Sequence, residues 1–148
     1  MLMSPTGRPA LSDWNRMNAY SDYWENKGVW DADKKAWYCS SGDGNSDVYT
    51  QNYNYAPNYV KLPAGHYRLT CDTIIRDTDT SNGVRVMLFI KNTADGGFIN
   101  MYNIYWKTGR HYFEFDITDD APWVCCRFGT CAYNQTVWVK DMVISNLS

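Results

Sequence analysis

Between residues 66 and 73 the chain alternates strictly. Tyr67, Leu69 and Cys71 are apolar, and His66, Arg68, Thr70 and Asp72 around them are polar. A period of two places these sets on opposite faces of one extended strand. Pro63-Ala64-Gly65 supplies the turn that feeds it. The pattern recurs down the chain. After a turn at Ser81-Asn82-Gly83, Val84, Val86, Leu88 and Ile90 form the core face of the next strand. Asp95-Gly96-Gly97 separates it from a strand over 98–106, and Thr108-Gly109 precedes another over 111–118, where Phe113, Phe115 and Ile117 point one way. Asp119-Asp120-Ala121-Pro122 leads into 123–129, with Val124, Cys126 and Phe128 inward. In the last strand, 136–145, Val137 and Val139 share one parity while Met142 and Ile144 take the other. Keeping all four in the core requires one extra residue, which predicts a β-bulge at Lys140-Asp141. Upstream, 35–40, 46–55 and 59–62 also read as strands. About nine short strands separated by turn residues predict an all-β fold. The expected architecture is a two-sheet antiparallel β-sandwich of jelly-roll type, over 13–148, with an irregular N-terminal arm over 1–12.

Composition agrees. Of 148 residues, 16% are aromatic (seven Trp, twelve Tyr and five Phe), and glutamate occurs only twice. That balance disfavours helical bundles and alternating β/α layers. Fourteen basic and sixteen acidic residues give a formal charge of −2. With no basic cluster, nucleic acid is not an expected partner. No apolar run approaches the length needed to span a bilayer, so no membrane insertion is expected. The first residues lack the apolar stretch of a secretory signal. Five cysteines (Cys39, Cys71, Cys125, Cys126 and Cys131) carry no metal-ligand spacing, and the expectation is free thiols. Cys125 and Cys126 are adjacent and should face opposite sides of their strand.

The strand cores do not absorb all the aromatic residues. Trp106, Tyr112, Trp123 and Trp138 fall outside the assigned inward set, and 49–59 interleaves Tyr49, Tyr53, Tyr55 and Tyr59 with Asn and Gln. Flat rings cover the apolar C–H face of a sugar, while amides, carboxylates and guanidinium forks satisfy its hydroxyls. The residues expected to bind ligand are Trp106, Tyr112, Trp123, Arg127, His111, Tyr53 and Trp138. Tyr-rich surfaces also serve protein interfaces, which keeps subunit contact as an alternative.

Asp43-Gly44-Asn45-Ser46-Asp47 sets three oxygen ligands at alternate positions, as a calcium loop opens. Val48 occupies the place of the sharp-turn glycine, and position 54 is Asn rather than Glu, which excludes a helix–loop–helix site. No cofactor is expected beyond a structural calcium ion at Asp43, Asn45 and Asp47. Glu114, Asp116, Asp119 and Asp120 form the main acidic cluster. Glu114 and Asp116 fall on the polar face of one strand and the other two in a turn, so paired-carboxylate hydrolysis is not the expected chemistry. His66 and His111 have no Ser or Cys nucleophile at a turn beside them, and the chain is not expected to be an enzyme.

Three segments carry a family likeness. Val60-Lys61-Leu62-Pro63-Ala64-Gly65-His66-Tyr67-Arg68-Leu69-Thr70-Cys71-Asp72 opens a strand after a Pro-Ala-Gly turn. Phe113-Glu114-Phe115-Asp116-Ile117-Thr118-Asp119-Asp120 closes one, and Val137-Trp138-Val139-Lys140-Asp141-Met142-Val143-Ile144 is a final strand. Together these resemble the carbohydrate-binding-module-like jelly rolls of tail and baseplate proteins from phages of Gram-positive hosts. The resemblance spans about residues 45–147 and implies turn and core positions rather than ligand chemistry. It implies a non-catalytic domain that recognises host cell-wall glycan, a receptor-binding or adhesion role. The implied partners are cell-surface or cell-wall polysaccharide, other virion or tail subunits, and further copies in a homo-oligomer. The implied location is the virion, made in the host cytoplasm and acting outside the cell. The alternatives are a structural virion protein and an accessory sugar-binding module of a glycoside hydrolase.

Overall fold

The computed structural model of the chain describes residues 15–18, 22–24, 28–76 and 83–148. The whole of the expected N-terminal arm, 1–12, and Ser81-Asn82 of the expected turn lie outside these. Among the described residues are nine strands: β1 (Val29–Asp31), β2 (Ala36–Ser40), β3 (Val60–Lys61), β4 (Gly65–Ile75), β5 (Val84–Lys91), β6 (Phe98–Trp106), β7 (Gly109–Ile117), β8 (Trp123–Gly129) and β9 (Thr136–Asn146). They form two antiparallel sheets, one ordered β1-β2-β9-β4-β7 and the other β3-β8-β5-β6. The β-sandwich class expected from the alternation is therefore the class observed.

The core lies where the period-two faces meet. Tyr67, Leu69 and Cys71 of β4 and Phe115 and Ile117 of β7 close on Val84, Val86 and Leu88 of β5 and Val124, Cys126 and Phe128 of β8. Each such side chain contributes about 1.5–3 kcal/mol by leaving water. In β9, Asp141 adopts a φ of 53°, and the pairing with β4 slips between Thr70 and Asp72. Val139 and Met142 are both buried as a result. This is the bulge that the parity switch requires. Cys125 and Cys126 belong to separate apolar clusters on opposite sides of β8, and no disulfide joins any of the five cysteines among the described residues. Burial holds the thiols protonated, pushing Cys39 and Cys71 up to about 12 and Cys125 to about 11.

Strand β5 departs from simple alternation. Seven of its eight residues are buried, Met87, Phe89 and Lys91 on the outer face among them. A strand covered on both faces loses its half-exposed pattern, and the cover here is the segment 49–59.

That segment corrects one expectation. Residues 46–55 do not form a strand; they make an isolated bridge from Tyr49 to Gly129 and then turn outward. The Asn52 side chain takes the N–H of Asn54 at 2.8 Å, and Ala56–Asn58 is a single 3-10 turn. Asn and Pro here hold the chain in turns, so tyrosine parity loses its meaning. The bridge needs Gly129, because a Cβ there would meet the Val48 carbonyl oxygen at 2.1 Å. Tyr23 fills the gap this detour leaves beside β8. Its hydroxyl donates to the Asn58 carbonyl and accepts the N–H of Cys126 at 3.2 Å. Strand β1, absent from the sequence expectation, pairs with β2 at the sheet edge.

Candidate functional site

The outer face of the second sheet carries rows fixed by register. Arg85, Met87, Phe89 and Lys91 of β5 lie beside Gly129, Arg127, Cys125 and Trp123 of β8, and beside Tyr105, Asn103, Met101 and Phe98 of β6. The 49–59 segment folds over the β8 side. Tyr53 lies flat on Phe89 at a centroid distance of 4.5 Å and 9° between planes.

Arg127 is held inside this arrangement, only 7% exposed. Its guanidinium carbon lies 3.8 Å from the Tyr49 ring centroid, 4.8 Å from Tyr53 and 5.0 Å from Phe89. Desolvated cation–π contacts of this kind contribute about 2 kcal/mol or more. One Nη donates to the Gln51 carbonyl at 3.3 Å, the other approaches the Met87 sulfur at 3.5 Å, and Nε has no partner among the described residues. Burial draws its pKa below the ordinary guanidinium value. Arg85 stands next to it. Its Nε donates to Asn103 Oδ1 at 3.0 Å and an Nη donates to the Tyr49 hydroxyl, with Asp47 Oδ1 at 3.8 Å. Burial raises the Tyr49 phenol, so it stays neutral as an acceptor. Lys91, 4% exposed, lies 4.2 Å above the Tyr59 ring and donates to the Ala94 carbonyl at 3.4 Å.

Beside Arg127 opens a cleft of about 350 Å³ lined by Asn45, Asp47, Val48, Tyr49, Gln51, Asn52 and Arg127. The side-chain oxygens of Asn45 and Asn52 are committed to local turns, accepting the N–H of Asp47 at 2.9 Å and of Asn54 at 2.8 Å. What these two amides retain for a ligand is their N–H groups. The cleft therefore combines an aromatic wall, a guanidinium and amide donors.

The expected binding residues separate into three places. Arg127 and Tyr53 belong to this face, with Trp123 further along β8, where Lys61 lies 6.0 Å from its ring. Tyr112 and Trp138 lie on the outer face of the other sheet: Tyr112 is 64% exposed beneath Arg68, and Trp138 Nε1 donates to Asp31 Oδ2 at 3.0 Å. Trp106 and His111 stack on each other at 5.1 Å, with His111 Nε2 against the Lys107 carbonyl at 2.7 Å. Trp106 pairs with Val84 and packs on the core, so it shares the inward parity rather than the outward one expected. The seven do not make one site. The three expected calcium ligands diverge likewise: Asp43 accepts from Asn134 Nδ2 at 2.6 Å, Asn45 from the Asp47 backbone, and Asp47 faces Arg85. Among the described residues no group of three or more His, Cys, Asp or Glu side chains is placed to hold a metal.

Val48, Tyr49, Gln51 and Asn52 are the cleft residues the sequence reading left out of the site, and Arg85, which holds Tyr49 from beside the cleft, was left out with them. The signal for Arg85 was present: it is the one charged residue inside the apolar run Val84–Ile90.

On the other outer face, His66 Nδ1 meets Asp116 at 2.7 Å and Nε2 meets Glu114 at 2.6 Å, while Arg68 reaches Glu114 at 2.8 Å. Glu114 and Asp116 are thus neighbours on β7 joined through one imidazole, not carboxylates facing across a cleft.

No family model matches the chain, and no curated protein matches it. Among solved structures, it is similar to a second family 16 carbohydrate-binding module (12% identity, 76% of this chain and 77% of that one, TM-score 0.48). It is also similar to the apo form of the carbohydrate-binding module CBM1 of BiXyn10A (12% identity, 87% of each chain, TM-score 0.49). The enzymatically active domain of tailspike protein 4 of bacteriophage CBA120 is a further match, at 11% identity and a TM-score of 0.46. That match covers 93% of this chain and 24% of the tailspike chain.

Proposed function

We propose that this sandwich is a non-catalytic saccharide-binding domain and that its site is the cleft beside Arg127. One observation carries the reading: a cleft of about 350 Å³ whose lining joins Tyr49 to a guanidinium and to the amides of Asn45 and Asn52. A sugar ring presents one apolar C–H face and a rim of hydroxyls. The Tyr49 ring suits the first, and the Asn45 and Asn52 amides with the Asp47 carboxylate suit the second. Arg85 and Gly129 hold Tyr49 in place, so little ordering entropy is lost on binding.

The proposed setting is a phage tail, with host cell-wall glycan as ligand. The support is the likeness of the three segments around residues 60–72, 113–120 and 137–144 to tail-associated jelly rolls. An open cleft of this size gives a weak single-site affinity, and repetition of the domain in an assembly would supply avidity. Titration calorimetry against a panel of cell-wall polysaccharides tests the reading. Saturable heat in the native protein, weakened in the Asn45→Asp/Asn52→Asp double variant, which keeps the turn-accepting oxygens and with them the unfolding midpoint, is the expected result. An absence of heat with every saccharide defeats it.

A second reading, subunit contact in a virion, is favoured by the edge strand β6. Ile99 is 64% exposed, Met101 41% and Tyr105 42%, all on a strand with one free edge. Exposed apolar edges invite pairing with another chain. Light scattering decides it: a stable oligomer that Ile99→Lys dissociates favours this reading, and a monomer at high concentration counts against it.

A further inference from the structure

The charge balance of the outer face of the second sheet carries more than sugar binding in general. Arg85, Lys91 and Arg127 project from it, and Lys61 lies over Trp123 at its margin. Against them stands the Asp47 carboxylate, 3.8 Å from Arg85 and half exposed. Among the described residues neither Arg127 nor Lys91 forms an ion pair, although both are more than nine-tenths buried. Desolvating a cation costs several kcal/mol unless an opposite charge accompanies it. The ring faces of Tyr49, Tyr53 and Phe89 offset part of that cost, but they leave the guanidinium edge underused. A guanidinium has five N–H donors. Here one meets a carbonyl, one a thioether sulfur, and Nε has no partner among the described residues. Asn45 and Asn52 add further N–H groups at the rim. The cleft lining holds one guanidinium, Arg127, and one carboxylate, Asp47, the latter 3.8 Å from Arg85 just outside it; the excess is in N–H donors, and a neutral sugar would use only part of it.

We propose that the cleft selects acidic saccharides, with a sugar-borne oxyanion set against Arg127 beside the Tyr49 ring and met by the Asn45 and Asn52 amide N–H groups. This rests on the saccharide-binding reading and narrows it. A planar carboxylate matches the guanidinium fork, and a phosphate matches it nearly as well. The low dielectric around a buried arginine strengthens the pairing beyond what an exposed arginine would give. Asp47 opposes the anion, and its pairing with Arg85 moderates that opposition.

The test compares each acidic ligand with a neutral twin of the same ring. Oligouronates of galacto, gluco and manno configuration are titrated beside their methyl esters, and hexose 6-phosphates beside the parent hexoses. The two series separate carboxylate from phosphate as the source of the anion. The acid is expected to bind roughly 10- to 100-fold more tightly than its neutral twin, the gain from one charge-assisted contact. The gap should narrow in 0.5 M salt. Arg127→Met should erase it. Because Arg127 is buried, an exposed position supplies a second arm: Asp47→Asn should tighten acidic ligands roughly 3- to 10-fold by removing a like charge at the rim. Arg68→Met, on the opposite face, should leave the gap unchanged. Equal affinity for acids and neutral twins overturns the anion proposal and leaves saccharide binding standing. Silence with both series overturns both.

Discussion

The two outer faces of the sandwich handle charge in opposite ways. On the face of β4 and β7, Arg68, Arg110 and His66 each meet a carboxylate across the strands, and all of these side chains are at least partly open to water. On the face of β5 and β8, Arg127 and Lys91 are buried against rings and carbonyls. The first arrangement is ordinary cross-strand pairing, which pins register and contributes little net energy. The second keeps cations out of water without a matching anion, a state that folding stability alone does not favour. The proposed anionic ligand would supply the missing match.

The largest contrast between the faces concerns the hydrophobic cover. Phe89 is 1% exposed on the outer side of β5, sandwiched under Tyr53, although its strand position faces away from the main core. Phe89→Ala should cost about 3–5 kcal/mol, as a core truncation does. Tyr112→Ala, on the opposite outer face and 64% exposed, should stay within about 0.5 kcal/mol. Urea unfolding of both variants measures this. Similar small losses would show that the 49–59 segment lies loosely on its sheet and that the cleft is not preformed.

Arg127 sharpens the contrast next. Replacing a buried ion pair by apolar side chains of similar volume is often neutral or stabilising by about 1–4 kcal/mol, and Arg127 lacks, among the described residues, even the carboxylate that would offset its desolvation. Arg127→Met should therefore unfold at the same or higher urea concentration while losing ligand. A drop of more than about 1 kcal/mol would mean that its ring contacts and the Gln51 carbonyl repay its desolvation, and the functional argument from its burial would fail.

How much of this was legible follows from what each element answers to. Strands β4 to β9 obey one rule, an apolar face against a common core, so parity and the flanking turn residues located them to within about two residues at each end, and parity located the β9 bulge. Trp106 shows the limit of parity, because its strand packs at the sandwich margin where inward rings remain half-exposed. The cleft was less legible. Tyr49 and Asn52 lie far from Arg127 in sequence, and they meet it because Gly129 lets the 49–59 segment press on β8. Asn45 and Asp47 stood out in the sequence as oxygen ligands, yet in the fold one shapes a turn and the other faces an arginine. Spacing along the chain records ligand chemistry only when a regular element carries it.

The third test concerns pH. The hydrogen bond it donates to Asp116, then that to Glu114, raises His66 above its ordinary 6.5. His66, then Arg68, lowers Glu114 below its ordinary 4.5. A raised histidine contributes stability fully present below about pH 6.5, lost as pH climbs through its folded value. A lowered glutamate contributes stability present above its ordinary value, lost as pH falls through the folded one. The urea midpoint should thus decline on both sides of weakly acidic pH. In His66→Gln the alkaline decline should vanish. Saccharide affinity should not follow His66, since the cleft lies on the other sheet; a common titration of stability and binding would tie the faces together.

The smallest effect belongs to the pair of Arg110 and Asp72, 3.2 Å apart. Arg110 sits 64% exposed and the pair joins adjacent strands β4 and β7 in register. A long side chain held in one geometry loses rotamer entropy, and water with salt screens the attraction. A double-mutant cycle with Arg110→Met and Asp72→Asn should give a coupling of about 0.2–0.5 kcal/mol, fading at high salt. A coupling several times larger would show that β4 and β7 depend on their surface charges for pairing. The contrast with the buried, carboxylate-free cations of β5 and β8 would then lose its sense, because both faces would be using charge to hold the fold.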